Sequence, residues 1–248
     1  MRQRADLLLL ERGLFQSRAK AREAIEAGLV TSGGEIVKRA SDMLDPKAAL
    51  TATPAYEWVS RGGLKLVAGL DAFEIDPTGL VCLDVGASTG GFTHVLLDRR
   101  AAKVYAVDVG QGQLHRRFLT HPRVVAMEKT DARDLTAAKI DPPPRLIVCD
   151  ASFISLKLVL PAALSLAAPD ARLIALIKPQ FEAGRAAVKK GVVRDPEIHA
   201  AVCRDIESWL TSLGWKVLGL VPSPIAGGDG NVEFLVGATR PGSETDRE

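Results

Sequence analysis

The stretch "LDVGASTGGFT", residues 83–93, decides the fold. Asp84 lies at the tip of an apolar run, glycines follow at Gly86, Gly90 and Gly91, and the next residues have the character of a helix. A strand-length apolar run that passes through a glycine turn into a helix is typical of a parallel sheet. The stretch therefore predicts a strand, a turn at the sheet edge and a helix, in that order.

The chain from residue 60 onward repeats this alternation of strand and helix. A leading helix is predicted around residues 62–74, and amphipathic helices are predicted in "TGGFTHVLLDRR", "SLKLVLPAALSLA" and "PEIHAAVCRDIESWLTSLG". The predicted strands lie near "VCLDVGA", "KVYAVDV", "RVVAME", "RLIVCDA", "RLIALIKP", "KVLGLVP" and "VEFLVGA". Near-continuous apolar strands between helices predict an α/β fold with a seven-stranded, mostly parallel sheet covered on both faces. Ligands of such sheets bind beyond the carboxyl ends of the strands, where the strand order reverses.

Composition excludes several classes of protein. The chain has 248 residues, 47% of them hydrophobic, so it can bury a core for one large domain and a small one. Its apolar runs fall short of the roughly 20 residues that span a bilayer, and its first residues lack the features of a signal peptide. We therefore expect a cytoplasmic protein without stable membrane association. Cys82, Cys149 and Cys203 have no metal-ligand spacing, so buried reduced thiols are expected and no metal site is predicted.

The first forty residues concentrate positive charge, although the net charge of the chain is only +2. Ser17 is predicted to cap a basic helix that ends at Gly28, and a hairpin is predicted around Gly33 and Gly34. In this order, "SRAKAREAIEAGLVTSGGEIV" resembles the S-four fold, a small α+β RNA-binding module, over about residues 2–48. The alternative is a helical hairpin whose arginines only form a solvated face.

The predicted organisation has four parts. Residues 1–48 form the S-four-like domain, 49–59 a linker, 60–240 the α/β domain and 241–248 a disordered tail. The tail is expected to be disordered because "PGSETDRE" has no apolar content.

The turn after the first strand of the α/β domain does not fit a dinucleotide. The pattern G-x-G-x-x-G lets a pyrophosphate approach a helix N-terminus, whereas Gly86 is followed by three residues that are not glycine. What remains is D-x-G-x-x-x-G, which suits a ligand with a positive amino group and no phosphates. S-adenosylmethionine is such a ligand and is the predicted cofactor. The alternative is an ordinary turn with solvent-facing acids.

Three acids at successive strand ends complete the predicted cofactor site. Asp84 is expected to face the ammonium end, Asp108 the ribose hydroxyls and Asp131 the adenine amino group. Gly86 and Gly90 are expected to let the methionine moiety lie against the backbone. The full predicted set is Asp84, Gly86, Ala87, Ser88, Gly90, Gly91, Asp108 and Asp131.

The end of the fourth strand narrows the choice of methyl acceptor. Asp150 is followed by Ala151 and Ser152, so the prolines typical of base-amine methyltransferases are missing. No cysteine takes their place, which disfavours the covalent route to a ring carbon. Four residues at strand ends or on the leading helix resemble instead the K-D-K-E tetrad of FtsJ-like RNA ribose methyltransferases: Lys65, Asp150, Lys178 and Glu233.

With the S-four-like module in front, residues 2–240 resemble the TlyA family, also described as hemolysin-like. The resemblance implies a Rossmann-like class I S-adenosylmethionine-dependent methyltransferase domain that methylates the 2′-hydroxyl of cytidine in ribosomal RNA. The expected partner is ribosomal RNA within ribosomal subunits, with the large subunit favoured because the short start resembles the form that acts on it alone. Two alternatives stay open, a membrane-active cytolysin and an RNA-binding protein with an inactive methyltransferase fold. The oligomeric state is also open.

The resemblance and the chemistry together suggest roles for the tetrad. A ribose hydroxyl is a weak nucleophile, so the site must remove or share its proton. Lys178 is expected to engage and deprotonate the hydroxyl, with Asp150 as its electrostatic partner. A lysine does this only if burial or a neighbouring cation lowers its pKa, and Lys65 is the expected cation. Lys65 and Glu233 are expected to form the outer pair that orients the nucleophile.

Basic side chains are expected to neutralise RNA phosphates without reading sequence. The predicted RNA-binding residues are Arg4, Arg18, Lys20, Arg22, Arg61, Arg185, Lys189 and Lys190. Methylation inside a folded RNA requires the target nucleotide to leave its stack. Phe153 and Phe181 are candidates for stacking on it, although a phenylalanine at a strand end is usually a core residue.

Overall fold

The computed structural model describes residues 2–184 and 187–242, which divide into two compact units, Met1–Glu57 and Trp58–Glu248. The predicted RNA contact Arg185 and residues 243–248 of the predicted tail lie outside the described residues.

Two short helices and two small antiparallel sheets form the first unit. Ser17 caps the second helix as predicted, because its side chain accepts a hydrogen bond of 3.3 Å from the Lys20 amide. The predicted stop at Gly28 and the predicted hairpin are also confirmed. The elements are β1 (Gln3–Arg4), α1 (Ala5–Glu11), α2 (Arg18–Glu26), β2 (Val30–Ser32), β3 (Glu35–Ile36), β4 (Met43–Leu44) and β5 (Leu50–Ala52).

The strands of the first unit pair around a small core. β1 pairs with β4, and β2 lies between β3 and β5. The strand β5 falls within residues 49–59, where the sequence analysis expects a linker, and its Ala52 lies opposite Val30 of β2. A three-residue strand has too little alternation to be recognised without its partner. The core consists of Ala5, Leu9, Phe15, Ala21, Ala24, Ile25, Val30 and Val37.

A seven-stranded sheet organises the second unit, and every predicted strand is present. The strands are β6 (Val81–Val85), β7 (Lys103–Val107), β8 (Val124–Met127), β9 (Leu146–Cys149), β10 (Arg172–Ile177), β11 (Lys216–Pro222) and β12 (Phe234–Thr239). Their order is β11-β12-β10-β9-β6-β7-β8, in which β12 is antiparallel to both neighbours and the remaining pairs are parallel. The strand order reverses between β6 and β9, which predicts a binding site at the carboxyl ends of these strands.

Helices cover both faces of this sheet. They are α3 (Gly62–Ala72), α4 (Gly91–Asp98), α5 (Arg116–Leu119), α6 (Leu156–Val159), α7 (Pro161–Ser165), α8 (Pro179–Glu182) and α9 (Pro196–Ser212). The segment predicted as one helix, "SLKLVLPAALSLA", forms both α6 and α7, because Pro161 has no N–H and starts a new helix. In the described part of the chain, 3₁₀ helices at Ala132–Asp134 and Gly228–Gly230 lie in loops.

Side chains alternate between two buried layers, as expected of a sheet covered on both faces. In β10, Ala175 and Ile177 pack with α6, α7 and α9, whereas Ile174 and Leu176 pack with α3 and α4. The three cysteines are buried and free. Within residues 2–184 and 187–242, every helix is too short or too polar to cross a membrane.

Candidate active site

A crevice opens at the carboxyl ends of β6, β7 and β9, where the strand order reverses. Its volume of about 540 Å³ is within the range of roughly 300–1,000 Å³ that is usual for small-molecule sites. Four predicted cofactor residues, Gly86, Ser88, Asp108 and Asp131, line it together with Asp150. The crevice therefore lies where the quoted turn predicts a ligand.

The turn after β6 is held between the ends of β9 and β7. Gly86 has a φ of +82°, and a Cβ added there would lie 3.0 Å from the backbone N and Cα of Ala151. Asp108 accepts hydrogen bonds of 2.7 Å from the amides of both Ser88 and Gly110. These amides fix the carboxylate beside the crevice and leave lone pairs for ribose hydroxyls.

Three of the predicted cofactor residues pack away from the crevice. A Cβ on Gly90, whose φ is +92°, would lie 2.7 Å from the Phe118 ring, and one on Gly91 would meet Ser60. Ala87 is buried in the layer that contains α3 and α4. Helix packing alone therefore accounts for a glycine at position 90, and the expectation that its backbone lies against the cofactor stays a prediction.

Asp131 is engaged by an ion pair that the sequence analysis did not include. Arg133 Nη2 lies 2.5 Å from Asp131 Oδ2, and the Arg133 amide donates a hydrogen bond of 2.9 Å to Oδ1. Hydrogen bonds from Arg133 hold the pKa of Asp131 below its usual range. If Asp131 contacts adenine, its carboxylate must do so while it also binds Arg133.

Asp84 is fully buried and lacks a cationic partner among the described residues. Its Oδ2 accepts a hydrogen bond of 2.6 Å from Thr93 Oγ1, whereas Oδ1 has no partner within residues 2–184 and 187–242. Burial raises the pKa of Asp84 to about 7, although the Thr93 hydrogen bond opposes the rise. A buried carboxylate is stabilised by a cation, so Asp84, one residue before the Val85–Gly86 wall, fits the ammonium group of S-adenosylmethionine.

The four predicted catalytic residues form two ion pairs. Lys178 Nζ lies 2.6 Å from Asp150 Oδ1, and Lys65 Nζ lies 2.5 Å from Glu233 Oε2. The side chains of Lys178 and Glu233 are only 6% and 3% exposed. Each buried charge therefore has a partner of opposite sign.

Strand alternation explains why the pairs meet on one face. Leu176 of β10 and Leu235 of β12 lie opposite each other and pack toward α3. Lys178 and Glu233 are each two residues further toward the site, so they turn to the same face in facing positions. Both lie at the edge of the sheet that holds the crevice.

Helix α3 brings the fourth member to this edge. A Cβ on Gly62, in the first turn of α3, would lie 3.6 Å from Asp150 Oδ2. Lys65 is three residues later on the same helix and is buried against Glu233. The two lysines thus lie on one side of the sheet, beside the turn at Gly86.

The loop after β9 brings further groups to the crevice. Lys178 Nζ donates a hydrogen bond of 2.8 Å to Ser152 Oγ. Phe153 has a φ of +66°, is 90% exposed and lines the crevice, with its ring centroid 5.1 Å from that of Phe181. Phe153 is therefore a surface residue, unlike most phenylalanines at strand ends.

Sequence reasoning missed Thr93, Arg133 and Ser152. Thr93 had a signal, since it lies in the first turn of the helix that follows β6, and so did Arg133, a cation two residues after Asp131. Ser152 had none, because its contact with Lys178 joins segments that are 26 residues apart.

Two predicted RNA contacts have a structural partner in the first unit. Asp6 is fully buried, with Arg4 Nε 3.0 Å from Oδ1 and Arg18 Nη2 2.7 Å from Oδ2. Hydrogen bonds from these guanidinium groups hold the pKa of Asp6 well below its usual range. Arg22 is exposed and makes no ion pair or side-chain hydrogen bond within the described part of the chain.

The other predicted RNA contacts lie at the surface of their units. Lys20 Nζ lies 5.6 Å from the centroid of the Tyr56 ring. Arg61 is the N-cap residue of α3 and is exposed, as are Lys189 and Lys190.

Comparisons with known proteins match both units. The model of the FtsJ-like methyltransferase family matches residues 58–240, and that of the S4 domain matches residues 3–50. The chain is 47% identical over 238 residues to the 16S/23S rRNA (cytidine-2′-O)-methyltransferase TlyA of Mycobacterium tuberculosis, covering 95% of this chain and 89% of that one. It is 44% identical over 244 residues to YqxC of Bacillus subtilis, a candidate rRNA methyltransferase, covering 97% and 87%. A solved structure, of a candidate hemolysin from Streptococcus thermophilus, has a TM-score of 0.77 and 38% identity, covering 97% and 89%.

Proposed function

We propose, on the premise that the chain belongs to the FtsJ-like methyltransferase family and to its TlyA group, that it methylates a ribose 2′-hydroxyl in ribosomal RNA with S-adenosylmethionine as donor. The observation that carries the proposal is the pairing of Lys178 with Asp150 and of Lys65 with Glu233 beside one crevice. Such buried, paired charges at the mouth of a ligand site are typical of catalytic groups.

The crevice residues hold the donor. When bound, S-adenosylmethionine supplies a methyl group on a sulfonium that a nucleophile can attack. Asp84 offers the negative charge for the ammonium end, and Asp108 offers lone pairs for ribose hydroxyls. The aromatic wall at Phe153 limits access of water from one side.

Lys178 acts on the acceptor hydroxyl. A ribose hydroxyl ionises far above neutral pH, so its proton must be taken up as the new bond forms. Lys178 is held between Asp150 and Ser152, so its position is fixed, and once its own ammonium proton has passed to solvent it can accept that proton. Asp150 keeps the resulting ammonium stable, and Lys65 with Glu233 fixes the neighbouring wall.

Substitutions at Lys178 separate a base from a fixed positive charge. Lys178→Met removes both properties, whereas Lys178→Arg keeps the charge but cannot accept a proton, since arginine stays protonated. We expect both to lower kcat by about 100-fold or more, the range of a general base. Lys216→Met, at an exposed position of β11, is the matched control and should transfer normally. Substantial activity of Lys178→Arg would instead assign Lys178 an electrostatic role.

The names of the relatives suggest which nucleotide and which ribosomal RNA this chain methylates. The name of the Mycobacterium tuberculosis protein includes cytidine and both ribosomal RNAs, so we propose a cytidine, with the large-subunit RNA as the first substrate to test. The first unit, which matches the S4 domain, is proposed as the RNA-docking part. Exposed Lys189 and Lys190 are proposed to add phosphate contacts beside the catalytic edge.

Methyl transfer to unmodified ribosomal subunits tests the proposal. Tritiated S-adenosylmethionine is incubated separately with large and small subunits, and the labelled RNA is then hydrolysed in alkali. A 2′-O-methyl group blocks cleavage at its own linkage, so we expect the label in an alkali-resistant dinucleotide that begins with cytidine. Label in ordinary mononucleotides would mean base methylation, and an absence of label with bound cofactor would refute the proposed function.

A further inference from the structure

The loop between β9 and α6 is fastened at both ends by a single helical turn. Lys178 is the N-cap residue of α8 and holds the start of the loop through Asp150 and Ser152. Glu182 is the last residue of the same turn and holds the end of the loop. Its Oε2 accepts a hydrogen bond of 2.6 Å from Ser155 Oγ, and its Oε1 accepts one of 2.8 Å from the Leu156 amide, in the first turn of α6.

The segment between these two fastenings is strained. Phe153 has a φ of +66° and its side chain is 90% exposed, so packing of its own ring in a core does not hold it there. A bulky residue in the left-handed region persists only where its surroundings impose the conformation. Three described contacts are placed to do so: Lys178 with Ser152, Glu182 with Ser155 and Leu156, and the ring of Phe181 beside that of Phe153. Phe153 in turn forms part of the crevice wall.

The surroundings of Glu182 suit a fixed acceptor. Burial raises the pKa of the Glu182 carboxyl, and the hydrogen bonds from Ser155 and Leu156 oppose this rise. Among the described residues, the charged groups that influence the pKa of Glu182 are Lys157 of α6 and Asp205 of α9, which pair with each other at 2.7 Å. The carboxyl of Glu182 is therefore left to the loop end.

We propose that Glu182 is a positioning residue for the methyl-transfer site. By clasping Ser155 and Leu156, it keeps the loop in the conformation that presents Phe153 to the crevice and Ser152 to Lys178. This inference rests on the proposed function only for its catalytic consequence, since the clasp itself is a property of the folded chain.

Three variants of the full-length protein test the clasp. Glu182→Ala removes both acceptors. Glu182→Gln keeps an amide oxygen for the Leu156 N–H and can donate to Ser155 Oγ, so it should hold the loop nearly as well as the wild type does. Glu197→Ala, at an exposed position in the first turn of α9, is the matched control.

Hydrogen exchange and binding are measured before activity. In Glu182→Ala we expect amide exchange of residues 152–158 to rise about tenfold or more, while the strands of the sheet exchange as in the wild type. The affinity for S-adenosylhomocysteine should fall about tenfold, and kcat should fall about 10- to 100-fold with a smaller change in the KM for RNA. Glu182→Gln should lie within about threefold of the wild type in each measurement, as expected of two retained hydrogen bonds, and Glu197→Ala should match the wild type.

Three outcomes overturn the inference. One is unchanged exchange of residues 152–158 in Glu182→Ala, and another is faster exchange throughout the sheet, which would make Glu182 a general stability residue. The third is a looser loop with unchanged cofactor affinity and unchanged kcat. If the wild type itself transfers no methyl group, the proposed function fails, while the exchange and binding data still decide whether the clasp exists.

Discussion

Asp6 in the first unit and Asp84 in the second are both fully buried aspartates, yet their surroundings are opposite. Asp6 accepts hydrogen bonds from the guanidinium groups of Arg4 and Arg18, and its pKa is held well below the usual range. Asp84 has one hydroxyl donor, Thr93, and one oxygen without a partner in the described chain, and burial raises its pKa to about 7.

We propose that the difference separates a carboxylate that stabilises the fold from one that binds the ammonium group of the cofactor. A buried carboxylate without a cation is costly, so its position directly behind the Val85–Gly86 wall of the crevice suits a positively charged ligand group. Like Asp6, each charged residue of the candidate tetrad has a partner of opposite charge within the chain. Such pairing suits groups that must keep their positions while substrates bind and leave.

The largest expected effect is on cofactor binding. Asp84→Asn keeps the shape and the Thr93 hydrogen bond but removes the negative charge, so the affinity for S-adenosylhomocysteine should fall about 100-fold. The free energy of unfolding should stay the same or rise, because an uncompensated buried charge is removed. Calorimetric titration measures the first and chemical denaturation the second. Asp6→Asn is the matched control and should bind the cofactor normally.

Next in size is the effect of Asp6 on the stability of the first unit. Asp6→Asn removes a charged acceptor from two guanidinium groups, so local unfolding of this unit should become easier by about 2 kcal/mol. Hydrogen exchange of the buried amides in α2 measures this change. Equal exchange in the wild type and the variant would contradict the comparison, because it would show that the charge of Asp6 does not stabilise the first unit.

Stability should depend on pH with opposite sign in the two units. The pKa of Asp84 rises on folding from an ordinary value of 3.8 to about 7, so the folded state binds the proton more tightly and stability falls as pH rises from about 4 to 7. The pKa of Asp6 is lowered on folding, so its contribution is present above about pH 4 and is lost on acidification below that.

Thermal unfolding between pH 5 and 7 measures the first trend. The free energy of unfolding of the wild type should fall by about 2 kcal/mol between pH 5 and 7. The same fall should be seen in Asp6→Asn but not in Asp84→Asn. A decrease that persists in Asp84→Asn would mean that another group titrates.

The smallest expected effect distinguishes two arginines on one helix. Arg22 has no described partner, so Arg22→Glu should weaken RNA binding about tenfold and leave stability unchanged. Arg18 also pairs with Asp6, so Arg18→Glu should weaken RNA binding and destabilise the first unit. Filter binding at two salt concentrations and hydrogen exchange measure the two properties. Equal stability losses for both variants would contradict the assigned difference.

The sequence predicted the elements whose signal is local. The strand and helix periods, the Ser17 cap and the turn at Gly86 depend on residues close together in the chain, and the structure confirms them. The pairing of Lys178 with Asp150 was also predictable, because both follow parallel strands that end at one edge of the sheet. Lys65 and Glu233 were grouped with them only through the resemblance to the K-D-K-E tetrad.

Other features depended on partners far along the chain. The packing of Gly90 against Phe118 joins two distant segments, as does the contact between Lys178 and Ser152. Asp6 lies among leucines and looks like the polar edge of a helix, so nothing nearby indicates that it binds Arg18. Phe153 is exposed because its backbone has a positive φ, and the residues around it in the sequence do not predict that conformation.

The central claim is that Asp84, behind the Val85–Gly86 wall of the crevice, is an uncompensated negative charge for the ammonium group of the methyl donor. It is tested most directly by counting protons released when S-adenosylhomocysteine binds at pH 7, by calorimetry in two buffers of different ionisation enthalpy. Because burial raises the pKa of Asp84 to about 7 before binding and a neighbouring cation should lower it, the wild type should release a fraction of a proton and Asp84→Asn none. Identical proton release and identical affinity in both proteins would contradict the account.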